Sequence, residues 1–475
     1  MNKSLQSRNV ITDRLLRGWI RCNRKAWLDL HEDNEKKIWT AHRTLQLDHQ
    51  YKSLSVLIKE KPGKGLNAFT SGANTVSGVR LKGKHPSGNY VEAHPELLQK
   101  IKGRSKWGDF AYRPVVARYG KRTNLEHLLI LALNSFLLEE IQESRIETGL
   151  VVSHRSNHLE TEKVVLTNRI KRKLNESLIR LKETLIKPSP IPVISDRRRC
   201  LNCSWKAFCD NEAALEGHLS EISGIGRKRE GTLNNLGINK VHDLAASNPF
   251  ELEHKLKKYG EMNSEFIHKA VKQANVQMNG LEERILDNES LPELNNVPGI
   301  LLYDIESDPD HKHDFLHGFI HIPNTKHKGF DMAKLKYSPI FNLSRENEKA
   351  CWMKISKKLY KLKDWPIIHY GETELISFKK LAKNHGVTNE DLQIISNRFI
   401  DIHKCIRSTW LLPVNSYGLK VVANWAGFKW SNKGADGAKA LLWWRSWEKT
   451  KHLNTINQNY LNWILDYNKD DCLAS

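Results

Sequence analysis

The chain has 475 residues, 39% of them apolar and 14 of them tryptophan, which excludes a disordered chain and allows two or three domains with their own cores. Its 75 Lys plus Arg against 54 Asp plus Glu leave a formal charge of +21, which favours a polyanionic partner because basic groups on nucleic acid release counterions. Seven cysteines in a chain of this size exclude a dense disulfide framework, and no run reaches the ~18 apolar residues of a membrane span.

The N-terminal M-N-K-S-L-Q-S-R-N-V lacks an apolar core and cleavage site, so a cytoplasmic protein with no membrane association is expected. Residues 11–30 read as one amphipathic helix with Thr12 as N-cap and Cys22 on it. A Gly- and Lys-rich stretch, 61–88, carries short β-like segments such as 75–81. Residues 108–120, G-D-F-A-Y-R-P-V-V-A-R-Y-G, alternate as a pair of strands would. Residues 125–141 follow as a strongly apolar helix, 150–153 and 159–166 as strands, and 170–186 as a basic amphipathic helix.

Residues 196–210 read D-R-R-R-C-L-N-C-S-W-K-A-F-C-D, with Cys200, Cys203 and Cys209 in a C-x2-C-x5-C spacing. Two cysteines two residues apart turn both sulfurs toward one centre, and the third closes the same face. Of the remaining cysteines (Cys22, Cys351, Cys405 and Cys472), Cys22 is the best fourth ligand, because W-I-R-C-N-R-K-A-W-L-D gives it similar basic and tryptophan neighbours. Spacing alone suits zinc and an iron–sulfur cluster equally, since both take four thiolates.

A lone cysteine in an R-C-x-R-x-W-L helix with a distal C-x2-C-x5-C resembles the iron–sulfur branch of the RecB-like nucleases over residues 1–212. The resemblance implies a PD-(D/E)xK-type α/β fold pinned by a [4Fe–4S] cluster on Cys22, Cys200, Cys203 and Cys209. It further implies an acid after a Gly, which Asp109 fits, and an acid-x-Lys on the next strand, which R-P-V-V-A-R-Y-G-K-R lacks. One aspartate does not assemble a divalent-metal site. The domain is therefore expected to be catalytically degenerate, a scaffold for nucleic acid, with His42 and His49 as surface histidines or remnants of a family metal ligand.

In 219–244, L-S-E-I-S-G-I-G-R-K-R-E-G-T-L-N-N-L-G-I-N-K-V-H-D-L, the Gly224-Ile225-Gly226 turn between two short helices resembles a helix-hairpin-helix motif. Gly224 and Gly226 let backbone approach a phosphate, helix N–H groups bind it, and Arg227 and Lys228 follow at once. This segment, 213–286, is expected from the resemblance to hold a nucleic-acid backbone, that of DNA, without reading sequence.

After a polar linker, 287–298, the last domain opens with G-I-L-L-Y-D-I-E-S-D. Asp304 and Glu306 stand at i and i+2, on one face of a strand. Residues 314–322 and 367–370 make further strands, 397–402 precedes a helix, and S-Y-G-L-K begins at Ser416. The chain closes on D-Y-N-K-D-D-C-L-A-S, where Tyr467 and Asp471 are one helical turn apart. D-x-E with a terminal Y-x3-D resembles the tyrosine-bearing DEDD exonucleases of RNase H-like fold, and the S-Y-G-L-K segment looks like their YprB type. That resemblance, covering 298–475, implies two Mg²⁺ or Mn²⁺ ions on Asp304, Glu306, Asp471 and a fourth carboxylate, with Tyr467 positioning the nucleophile. Glu374, in H-Y-G-E-T-E, is the expected fourth ligand and Asp401 the reserve.

The whole is similar to a family of bacterial, including cyanobacterial, RecB-like putative nucleases: a multidomain α/β protein. The expected activity is 3′–5′ exonucleolytic hydrolysis of DNA in repair, recombination or processing. An inert nucleic-acid-binding scaffold and an RNA-directed exonuclease are the alternatives. Trp425, Trp430, Trp443, Trp444 and Trp447 offer faces for unpaired bases or for packing.

Overall fold

A computed structural model of the chain describes residues 10–155, 158–261, 263–286, 291–325, 329–451 and 454–475. It is a multidomain α/β protein that divides into two compact units, Met1–Glu212 and Ala213–Ser475. Among the described residues no helix is long and apolar enough to cross a membrane.

The first unit is built on a six-stranded sheet in the order Gly63–Lys64, Thr75–Ser77, Leu97–Ser105, Gly108–Ala117, Thr148–Arg155, His158–Val165. The helix Leu125–Gln142, apolar on nearly all sides, lies in the core with Leu129, Leu133 and Leu137 fully buried. Apolar residues all round a helix demand burial on all sides, and here the amphipathic helix Asn168–Leu185 packs against it. Residues 108–117 form one strand rather than the expected pair. Its partner is Leu97–Ser105, whose K-I-K-G-R sequence hides it from a hydropathy pattern.

The N-terminal helix is also two helices. Thr12 caps the first, Asp13–Arg21, by accepting from the Leu15 N–H at 3.1 Å, as expected. At Cys22 the backbone turns extended, with φ −162° and ψ 120°, and a second helix, Asn23–His31, begins. The break folds the second helix back on the first. A Cβ on Gly18 would lie 3.8 Å from the Ala26 backbone, so small residues let the two helices pack closely. Apolar periodicity continues across Cys22, which is why the sequence reads as one helix.

The second unit begins with short helices. The glycine turn is preceded by a 3-10 turn, Leu219–Glu221, rather than the expected helix, and followed by helices Arg227–Asn235 and Val241–Ala245. Leu219, Ile222, Ile225, Leu233, Leu244 and Ile267 share one small core. The larger part is a mixed sheet. The strand Gly299–Asp308 pairs antiparallel with His313–Thr325 on one side and parallel with Ile367–His369 on the other. Lys336–Phe341 extends the antiparallel side and Phe399–Asp401 the parallel side. Leu301, Tyr303 and Ile305 face one core, while Ile300 and Leu302 face another, so the strand is covered on both faces. The C-terminal helix Asn454–Ala474 packs on the first two strands, bringing the chain end to Asp304 and Glu306.

Candidate functional site

On the strand Gly299–Asp308 the alternation that buries Tyr303 and Ile305 turns Asp304 and Glu306 to the opposite face, under the C-terminal helix. Asp471, from that helix, meets them. One oxygen from each of the three carboxylates lies within 4.8 Å of the others, and among the described residues theirs is the one such group of metal-ligating side chains. Glu306 and Asp471 are only 6% and 8% exposed. Burial, then repulsion from Asp471, Glu306 and Glu374, pushes the Asp304 carboxyl well above the usual carboxylate range. Glu306 is raised by burial and by Asp471, and Asp471 by burial. Three acids that resist ionising together are a site suited to a divalent cation, whose charge makes all three ionised forms favourable.

Neighbours hold each carboxylate in place. Asn468 Nδ2 donates to Asp304 Oδ2 at 2.7 Å, while its own Oδ1 accepts from the Tyr337 hydroxyl at 2.9 Å. Trp430 Nε1 donates to Asp471 Oδ1 at 2.6 Å, and Tyr467 hydrogen-bonds the same carboxylate. The Lys420 ammonium lies 4.9 Å over the Tyr467 ring and 5.4 Å over the Trp430 ring, and its charge acts on Asp471 and Glu306. The strand register pairs Asp304 with Gly318, and a Cβ on Gly318 would fall 1.8 Å from Asn468 Oδ1. The glycine is the space into which Asn468 reaches. None of Gly318, Lys420, Trp430 and Asn468 stands out as a ligand in the sequence. Only the adjacency of Asn468 to Tyr467 and the place of Lys420 as the last residue of the S-Y-G-L-K segment offer a signal.

Glu374 lies beside the trio rather than in it. It is buried, its Oε2 has no hydrogen-bond partner, and the His369 ring nitrogen is 3.7 Å away. Its charge reaches Asp304. Asp401 is engaged elsewhere: its Oδ1 accepts from Gly371 N–H at 2.9 Å and from Lys404 N–H at 3.3 Å as the cap of the following helix.

The tryptophans divide. Trp443 and Trp444 are core residues, Trp444 stacking on Phe315 with 4.4 Å between ring centres, and Trp447 stacks on Trp444. Trp430 holds Asp471. Of the five, Trp425 is exposed.

In the helical segment, Gly224 adopts φ +92°, with Phe266 packed against the position a side chain would take. Gly224, Gly226, Arg227 and Lys228 are all exposed at the N-terminus of the helix Arg227–Asn235, where unpaired N–H groups favour an anion. Arg229 is turned inward, bonded to Gly224 O at 3.0 Å and stacked 3.7 Å over Phe266.

In the first unit Cys22, Cys200, Cys203 and Cys209 line a single recess together with Arg24, Lys25 and Arg199. Leu28 and Trp205 also line it and pack with Trp27 in one buried cluster, with Trp205 Nε1 bonded to Asp29 at 2.9 Å. Burial and the neighbouring sulfurs push the Cys200 thiol up to about 12. Burial also raises Cys22 and Cys209, opposed at Cys209 by the Arg24 guanidinium. The four thiols share this recess, but among the described residues their sulfurs do not form a group close enough to hold one ion together. The break puts Cys22 at a helix junction that lines the same recess as Cys200, Cys203 and Cys209.

Asp109 stands exposed at the start of its strand and, among the described residues, belongs to no group of metal-ligating side chains. The His49 ring packs edge-on against Tyr119, and His42 is half-buried. Glu96 and Glu126 converge in this unit, and arginines occupy them. Arg17 bonds Glu96 at 2.6 Å and Glu126 at 3.3 Å, Arg21 bonds Glu126 twice, at 2.6 and 2.7 Å, and Ala117 N–H donates to Glu96 at 2.8 Å.

Residues 301–475 match the family model described as the RNase H superfamily. RNase H-like nucleases hold Mg²⁺ or Mn²⁺ through acidic residues, so this domain carries nuclease-type chemistry directed at nucleic acid. No curated protein sequence matches the chain.

Proposed function

We propose that the protein is a metal-dependent exonuclease acting 3′ to 5′ on DNA, in repair, recombination or processing, with its catalytic centre in 298–475. The observation that carries the reading is the trio Asp304, Glu306 and Asp471, held within 4.8 Å and raised by burial, with repulsion from Asp471 adding at Asp304 and Glu306. Buried Glu374, with a free carboxylate oxygen whose charge reaches Asp304, completes a four-acid set. When bound, a pair of Mg²⁺ or Mn²⁺ ions supplies an activated water and charge stabilisation for the leaving oxygen. Asn468 and Trp430 fix the rotamers of Asp304 and Asp471 before any ion arrives, so no reorganisation is needed. Tyr467, anchored through Asp471 and covered by Lys420, orients the nucleophile, and the Lys420 ammonium supplies positive charge beside Asp471 and Glu306.

The segment 213–286 serves this site as a helix-hairpin-helix that grips the backbone through Gly224, Gly226, Arg227 and Lys228. The region 1–212 is a RecB-like scaffold whose own nuclease centre has been lost, Glu96 and Glu126 being paired to arginines. Its four cysteines hold a structural cluster, [4Fe–4S] by the resemblance. The shared recess and the Arg24 and Lys25 charges beside it suit a cluster of thiolates. A binding scaffold without turnover is the competing reading, favoured by Glu374 standing outside the close trio.

The test is cleavage of end-labelled single- and double-stranded DNA and RNA by anaerobically purified full-length protein with Mg²⁺ or Mn²⁺, against Asp304→Ala. A metal-dependent ladder lost by at least about a thousandfold in the variant supports the exonuclease. Binding without cleavage in any metal moves the scaffold reading to first place. Visible absorption and iron and zinc content of the same preparation, against Cys22→Ser, distinguish the two cluster chemistries.

A further inference from the structure

The C-terminal helix carries Tyr460, Trp463, Tyr467 and Asp471 at i, i+3, i+7 and i+11, a single stripe along one side. Its inner end is the buried Tyr467–Asp471 pair. Its outer end is open: Tyr460 is half-buried, and Trp463 is 41% exposed. Scattered exposed apolar residues need no explanation. Trp463 differs because it is braced and aligned. Its ring is tilted on buried Trp443 with centres 5.6 Å apart, and Tyr460 meets it edge-on at 5.5 Å. A braced indole presents a face at little entropic cost.

Cations alternate with these rings. Lys439 Nζ sits 5.4 Å over the Trp443 ring, and its charge is felt by Lys420, which covers Tyr467 and acts on Asp471 and Glu306. From the carboxylates outward the order is therefore acid, Lys420 on Tyr467, Lys439 on Trp443, then Trp463 and Tyr460. Aromatic faces for bases interleaved with ammonium groups for phosphates are the composition of a single-strand track. Trp463 lies eight residues from Asp471, about 12 Å along the helix at 1.5 Å per residue, which is room for a few nucleotides.

We propose that this stripe is a binding track for the end of a single-stranded polynucleotide, with bases stacking on Trp463 and Tyr460 and phosphates on Lys439 and Lys420, leading the terminal linkage to the carboxylates. Paired bases keep their faces stacked inside the duplex, so the track selects unpaired ends. The proposal rests on the nuclease reading for what happens at the inner end, but not for the binding itself.

The test is fluorescence anisotropy of labelled oligodeoxyribonucleotides and oligoribonucleotides with full-length protein in Ca²⁺, single strands against blunt duplex. Trp463→Ala is expected to weaken single-strand binding about tenfold, the range for loss of one base-stacking platform. Trp463→Phe retains most of it, and blunt-duplex binding is unchanged. Lys439→Ala lowers the slope of log affinity against log salt by about 0.7 for single strands. Circular dichroism of each variant checks the helix. Single-strand affinity unchanged in Trp463→Ala, or an equal loss for single strand and duplex, overturns the track. The two polymers separate a DNA track from an RNA track. If nothing is cleaved in any metal but the Trp463 dependence persists, the track stands and the nuclease reading falls. If Asp304-dependent cleavage of single strands is indifferent to Trp463→Ala in rate and affinity, the nuclease stands and the track falls.

Discussion

The two units each gather buried acids, and they treat them in opposite ways. In the first unit Glu126 is buried, which would raise it, yet the hydrogen bonds and charge of Arg21, with the charge of Arg17, hold it below the usual carboxylate range. In the second unit Asp304, Glu306 and Asp471 are buried against one another, and Lys420 offsets only part of their repulsion. The first arrangement is a closed ion-pair network that leaves its acids little capacity for another cation. The second is unfavourable as it stands and becomes favourable on binding one. Convergence of carboxylates alone does not make a metal site. What separates the two is whether the protein supplies the countercharge itself.

The largest expected effect tests the closed side. His127 lies in the same network, and burial holds its imidazole down to about 4, with Nδ1 accepting the Asn124 N–H at 3.1 Å. A base lowered on folding contributes stability that is present above its unfolded pKa of about 6.5 and is lost as pH falls toward 4, because the unfolded chain takes up the proton first. Over that window the loss is roughly 3 kcal/mol for such a shift. His127→Gln keeps an acceptor for the capping box and removes the titration. Urea midpoints at pH 7, 5 and 4 should fall more steeply for the wild type than for the variant. Equal slopes would mean that His127 is not the buried neutral group of the network.

The next effect tests the open side through a residue that touches no ligand site directly. In Gly318→Ala the new methyl occupies the place of Asn468 Oδ1, so Asn468 must leave Asp304. Overpacking of this kind costs about 1–3 kcal/mol of stability. The metal-dependent cleavage rate should fall about a hundredfold, the cost of a misplaced reacting group. Normal kinetics in the folded variant would show that Asn468 does not position Asp304.

What the sequence makes legible is local. Asp304 with Glu306, and Tyr467 with Asp471, are set by the two-residue period of a strand and the four-residue turn of a helix, so their shared faces follow from spacing. The site's supports are not local. Asn468 reaches Gly318 because strand register puts that glycine opposite Asp304, and Trp430 meets Asp471 from a loop 41 residues earlier. Spacing cannot rank those positions above other tryptophans and asparagines. The same limit hid the turn at Cys22, where apolar periodicity is unbroken, and the strand Leu97–Ser105, whose lysines and arginine project from a half-exposed edge of its face. In the first unit the acid-after-Gly pattern points to Asp109, while Glu96 and Glu126, which do converge, are joined by arginines of a helix 79 and 105 positions away.

The smallest effect is the most direct comparison of the two clusters. If the trio is held against its own repulsion, removing one charge should stabilise the metal-free protein. Asp304→Asn preserves an oxygen for the Asn468 donor and should raise stability in chelator at neutral pH, by about 1 kcal/mol, a common size for a stabilising charge substitution. With Mn²⁺ the order should invert, because the wild type gains binding free energy in proportion to the logarithm of metal over Kd and the variant has lost a ligand. Paired thermal melts with chelator and with Mn²⁺ read both arms. A variant less stable than the wild type in chelator would mean that Asp304 is paid back by some countercharge, as Glu126 is by its arginines. The carboxylates of the second unit would then be a structural network like that of the first, and the case for a metal centre would rest on the family match alone.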